Sequence, residues 1–118
     1  MKDLQALCRA LPGVTEDIKW GADLVFMVGG KMFAVFPLGD DADTGFAFKV
    51  EPPVFQVLTK RKGIIPAPYM ARASWIKVAP RALPKKEVTH LLRESWRLVA
   101  SKLPKKQREP LFTSLLQL

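Results

Sequence analysis

Leu24-Val-Phe-Met-Val28, Gly29-Gly30 and Lys31-Met-Phe-Ala-Val-Phe-Pro-Leu38 together form the stretch that decides the fold. Two apolar runs flank a two-residue glycine loop. Such a loop suits a tight hairpin turn, where both central residues need positive φ. The stretch therefore predicts an antiparallel pair, Leu24–Val28 with Lys31–Leu38. Before it, Asp17–Trp20 reads as a short edge strand. After it comes a polar turn, Gly39–Gly45, and then a strand, Thr44–Val50. In that strand Phe46, Phe48 and Val50 share one face, and Ala47 and Lys49 the other.

Helical periodicity takes over on either side of these strands. Leu4, Leu7, Cys8 and Leu11 recur at helical spacing, so residues 2–11 read as a helix that Asp3 can cap and Pro12-Gly13 ends. Pro52-Pro53 opens a short helix, Val54–Lys60, with Val54, Val57 and Leu58 inward. Residues 61–73 read as a loop rich in proline and basic residues. Ser74–Ala79 returns to strand, with Trp75 and Lys77 alternating against Ile76 and Val78. The longest helix spans about residues 84–101, with Val88, Leu91, Leu92, Ser95, Leu98 and Val99 as its buried stripe. A tail, residues 109–118, reads as a short helix carrying Leu111, Leu115 and Leu116. The whole reads as one α+β domain over residues 1–118, an antiparallel sheet with helices packed on one face.

Several function classes fall away on composition. A single cysteine excludes an intramolecular disulfide and a cysteine-based zinc site. Cys8 lies on the apolar face of its helix and reads as a buried structural thiol. No apolar run approaches the roughly 20 residues of a membrane span. Asp3 and Arg9 spoil any signal-peptide reading of the N-terminus, so a cytoplasmic protein without a membrane role is expected. The single histidine, His90, has Lys86 and Arg93 as neighbours at helical spacing, a setting unsuited to a general base. Asp40-Asp41-Ala42-Asp43 fails the spacing of a calcium loop, since Ala42 and Phe46 occupy positions that need a ligand and a glycine. No phosphate-binding glycine loop is present. The expectation is a protein without catalytic residues, cofactor or metal.

Charge is more informative. The net charge is +8, and it is unevenly placed. Residues 1–58 hold five Lys/Arg and eight Asp/Glu, a net of −3. Residues 59–118 hold 14 Lys/Arg and three acids, a net of +11. An asymmetry of this size points to a polyanionic partner. Lys60-Arg61-Lys62, Lys85-Lys86 and Lys105-Lys106-Gln-Arg108 form clusters. Lys86, His90, Arg93 and Arg97 share one helical face. Lys85 and Lys86 stand at a helix N-terminus, where cations oppose the dipole, so helix stability does not explain them. Trp20, Trp75 and Trp96 read as core or edge packing, and Tyr69 as a contact residue in the basic loop.

Taken in order, Leu11-Pro-Gly13, Trp20, Val28-Gly-Gly-Lys-Met-Phe33, Phe48-Lys-Val50, Pro66-Ala-Pro-Tyr69, Trp75-Ile-Lys77, Glu94-Ser-Trp-Arg-Leu-Val99 and Lys102-Leu-Pro-Lys-Lys106 resemble the MmcQ/YjbR family over about residues 3–108. Trp96 stands where that family places a tyrosine. The resemblance implies a CyaY-like, frataxin-like two-layer sandwich and a DNA-binding "double wing" function without catalytic residues. The acidic first helix with which frataxin-like proteins bind iron has no counterpart here, because Lys2 and Arg9 accompany Asp3.

These readings converge on a non-enzymatic DNA-binding protein that contacts phosphates through Lys60, Arg61, Lys62, Tyr69, Arg72, Lys85, Lys86, Arg93, Arg97, Lys105, Lys106 and Arg108. The alternative is a protein-interaction module whose basic half meets an acidic protein partner or another copy. The expected state is a monomer or weak dimer.

Overall fold

The computed structural model describes residues 1–115. Its elements are α1 (Lys2–Ala10), β1 (Val14–Lys19), β2 (Asp23–Val28), β3 (Lys31–Pro37), β4 (Phe46–Lys49), α2 (Pro52–Leu58), β5 (Ile64–Pro66), β6 (Trp75–Val78), α3 (Lys85–Ala100) and α4 (Lys105–Leu115). The six strands form one antiparallel sheet in the order β1-β2-β3-β4-β6-β5. All four helices contribute to the core on one face of it. The α+β two-layer architecture expected from the sequence is the one found.

The central hairpin forms as its glycines dictate. Val28 pairs with Lys31, and Gly29 and Gly30 have φ of 59° and 77°. Positive φ at both positions matches the right-handed twist of the flanking strands. Further along, Phe26 pairs with Ala34 but Met27 with Met32, so Phe33 is an extra residue, a β-bulge in β3. The bulge turns Phe33 and Ala34 both into the helix-side core.

That core is aromatic along the sheet. Phe26 meets Phe36 edge-on at 5.8 Å, Phe36 stacks on Phe46 at 5.1 Å, and Phe46 lies 5.9 Å from Phe48. From the helices come Leu4, Cys8, Val88, Leu92 and Trp96. Burial pushes the Cys8 thiol up to about 12, as desolvation disfavours the thiolate. Trp96 donates from Nε1 to the Pro12 carbonyl at 2.9 Å and sets its ring 5.4 Å from that of Phe112 in α4.

Several expectations need correction. Asp3 does not cap α1. Met1 is the N-cap, and the Asp3 carboxylate lies inside the first turn, accepting from the Leu4 amide at 3.0 Å. The stretch expected to be all loop contains β5, an edge strand of three residues. Pro66 is tolerated there because an edge strand needs no donor on its outer side. Val57 faces solvent, 62% exposed, although Val54 and Leu58 turn inward. Trp20 does not pack in the core or against the edge but is 67% exposed. The polar turn after β3 closes as a 3-10 helix, Gly39–Thr44. The last helix begins at Lys105, not near residue 110, and carries Pro110 within it. The expected helix positions 116–118, including Leu116, lie outside the described residues.

Candidate nucleic-acid interface

Helix α3 is the spine of the basic surface. Its buried stripe, from Val88 through Leu92, Ser95 and Val99, faces the sheet. Lys86, His90 and Arg93 consequently project into solvent. The residues that follow α2 and the start of α4 extend this surface at the two ends of α3. Arg61, just beyond α2, pairs with Glu87 in the first turn of α3, with Nη1 to Oε1 at 3.2 Å. Arg108 in α4 donates to the Ser101 carbonyl at 3.3 Å. Residues 87 and 101 are about 21 Å apart along the helix axis. Lys60, Arg61, Lys62 and Lys86 thus sit at one end, Lys105, Lys106 and Arg108 at the other, with Arg93 between.

The cations differ in what already holds them. Lys85 pairs with Asp3 of α1, and that hydrogen bond, with Lys85's charge, lowers the Asp3 carboxyl to about 2. This contact explains one of the two lysines that oppose the α3 dipole. Arg97 is held by Glu94 at 2.6 Å and Glu51 at 3.2 Å. Those hydrogen bonds, Glu94's first, shift its pKa upward. Arg97 therefore belongs to an α2–α3 clasp, although it lies on the predicted basic face. Lys105 lies 3.8 Å from Glu109. All three acids of residues 59–118 are thus taken up locally, by Arg61, Arg97 and Lys105. Among the described residues, Lys60, Lys62, Arg72, Lys86, Arg93, Lys106 and Arg108 have no carboxylate within ion-pair distance.

Tyr69 and Arg72 are not on this surface. They belong to the segment joining β5 to β6, which folds over the opposite face of the sheet. Ala67 donates to the Trp75 carbonyl at 3.0 Å and Trp75 to the Met70 carbonyl at 3.3 Å, closing the segment on itself. Beneath it Val25, Val35, Ala67 and Trp75 form a small second core. Next to that core lies a groove of about 570 Å³, floored by Met32, Val35 and Ala47 and walled by Trp20 and Tyr69. Lys77 and Asp23 also line it.

Sequence reasoning missed this groove. The signal was the unbroken apolar runs of β2 and β3, where strict alternation would mark one buried face and continuous runs mark two. Among the described residues no group of His, Cys, Asp and Glu could hold a metal ion, and no helix is long and apolar enough to cross a membrane.

The bulged six-stranded sheet and the single helical layer packed on one face of it define a class of small α+β proteins. The chain belongs to the YjbR family, whose model matches residues 9–98. It is similar to a Deinococcus radiodurans protein with a DUF419 domain, whose crystal structure superposes with a TM-score of 0.83 at 28% identity over 93% of this chain and 86% of that one. A Pseudomonas syringae protein of known structure is similar at 26% identity, with a TM-score of 0.60 over 73% of this chain and 86% of that one. No curated protein matches the chain significantly.

Proposed function

We propose that the protein binds nucleic acid, duplex DNA in the first place, by laying the helical face of α3 along the phosphate backbone. One observation carries this reading. The acids of the basic half are all paired within it, while Lys60, Lys62, Lys86, Arg93 and Lys106 stand exposed without a carboxylate partner among the described residues. Lys86 is exposed at an α3 N-terminus that disfavours cations, and a bound phosphate would offset that cost. The span of about 21 Å between the end clusters matches about six phosphates of one strand in axial rise. Contacts of this kind position a protein on DNA and carry little sequence information.

The test is a fluorescence-anisotropy titration of a labelled mixed-sequence duplex at about 50 and 200 mM salt, with polyglutamate as competitor. The expected result is binding whose log–log salt slope approaches about −4.5 if all five cations touch phosphate. Absence of binding at the lower salt, or equal displacement by polyglutamate, overturns the reading.

A further inference from the structure

The groove on the open face of the sheet combines three features that folding alone leaves unexplained. The first is exposed aromatic surface. Tyr69 is fully exposed and Trp20 67% exposed, on opposite walls over an apolar floor. The second is backbone strain. Trp20 and Tyr69 have φ of 52° and 65°. The left-handed region is disfavoured for any residue with a Cβ and ordinarily selects glycine or asparagine. Here two bulky aromatics occupy it, and both line the groove. Strained residues of this kind gather where a site must be held in shape.

The third feature is a charge without a counterion. Across the open face, Val25, Val35, Ala47, Lys77 and Ile65 are neighbours on five adjacent strands. Lys77 is the one charged member, half-buried between Ala47 and Ile65. Among the described residues no carboxylate lies within ion-pair distance of it. Asp23, on β2, stands three strand spacings away, about 14 Å across the sheet. It places negative charge at the far end of the groove.

We propose that this groove binds a small amphipathic organic acid. Its apolar, preferably aromatic, body rests on Met32, Val35 and Ala47 between Trp20 and Tyr69. Its single anionic group meets the Lys77 ammonium. Asp23 disfavours a second anionic group at the other end, so the class is a monoanion. The volume, about 570 Å³, falls in the range of ordinary small-molecule sites. The site lies across the sheet from α3 and does not depend on nucleic-acid binding.

Two fluorescent probes of similar shape test this: anilinonaphthalene sulfonate, an aromatic monoanion, and N-phenyl-1-naphthylamine, its neutral counterpart. The folded protein is expected to bind the anion saturably, with amide shifts in the NMR spectrum at Val35, Ala47, Tyr69 and Lys77. Lys77→Met is expected to weaken the anion about tenfold and leave the neutral probe unchanged. Tyr69→Ala is expected to weaken both. Lys77→Gln repeats the measurement if Lys77→Met fails to fold, with spectral dispersion as the criterion. No saturable binding, shifts confined to the helical face, or an anion affinity in the folded Lys77 variants equal to that of the unsubstituted protein overturns the proposal. So does sedimentation showing a dimer that Trp20→Ala dissociates, because the groove is then covered by a second copy.

Discussion

The hydroxyl of Ser95 in α3 donates a 2.6 Å hydrogen bond to the carbonyl of Phe33, the bulged residue of β3. The same oxygen accepts from the Lys49 amide of β4 at 3.0 Å. The regular β3–β4 ladder covers only Ala34 with Phe48 and Val35 with Ala47. Where the bulge interrupts it, a side chain from the helical layer takes over both backbone groups. Ser95 is the one fully buried polar residue among those described, and its burial is satisfied. Ser95→Ala leaves a buried carbonyl and an amide without partners. It should cost about 2–4 kcal/mol, read as a lower urea midpoint at unchanged m-value.

Trp96 ties α3 to the turn after α1 through its indole N–H, which donates to the Pro12 carbonyl. Trp96→Phe keeps an aromatic ring near Phe112 but strands the Pro12 carbonyl. A loss of about 2 kcal/mol is expected, against about 3–5 kcal/mol for Trp96→Ala. Thermal unfolding followed by circular dichroism would separate the two.

The two hairpin glycines differ in what surrounds them. A Cβ on Gly29 would come within 2.6 Å of Leu103 Cδ2, whereas one on Gly30 meets nothing within 4 Å. Both have positive φ, so both alanine variants carry backbone strain of about 1 kcal/mol. Gly29→Ala should be the more destabilising, because Leu103 seats the α3–α4 turn on the hairpin. Chemical denaturation of the two variants side by side provides the comparison.

Asp3 gives a pH dependence of known sign. Its folded pKa is lowered from 3.8 to about 2, first by the hydrogen bond from Lys85. The stabilisation is therefore fully present above the unfolded value and fades as pH falls through the folded one. An NMR titration of the Asp3 carboxyl should show a midpoint of about 2 in the native protein and a higher one, moved back toward 3.8, in Lys85→Met. An unchanged midpoint in the variant would remove Lys85 as the cause.

Arg93 and Arg97 share a helical face but should behave differently on DNA. Arg93 is exposed and has no acidic partner among the described residues, so Arg93→Ala should reduce the salt slope by about one. Arg97 is held by Glu94 and Glu51, so Arg97→Ala should leave the slope unchanged. Anisotropy titrations of both variants at several salt concentrations would settle the assignment.

The central hairpin, the alternation in β4 and β6, and the stripe of α3 are legible in the sequence. Each depends on local periodicity or on a backbone conformation that Gly-Gly alone favours. β5 was hidden for the opposite reason. Three residues ending in proline have no periodicity, and Ile64 becomes a strand residue only through pairing with Val78 of β6. Val57 shows the same limit, since an apolar residue on a two-turn helix can fall on either side of its boundary. The basic residues were visible as types. Which of them already had acidic partners was not, because Arg97 reaches Glu51 across 46 positions and Lys85 reaches Asp3 across 82.

By itself the sequence determined the α+β class, the hairpin at Gly29-Gly30, the helical core face and the concentration of positive charge after residue 58. These follow from near-neighbour physics: backbone freedom, side-chain periodicity and charge counting. Only the tertiary structure decided which cations remain unpaired and that Tyr69 and Arg72 lie across the sheet from the others. It also decided that Ser95 closes the bulge at Phe33 and that Trp20, Tyr69 and Lys77 frame a groove. Each depends on contacts between residues distant in sequence, and strand order and bulge register set those contacts, not any local preference of the residues involved.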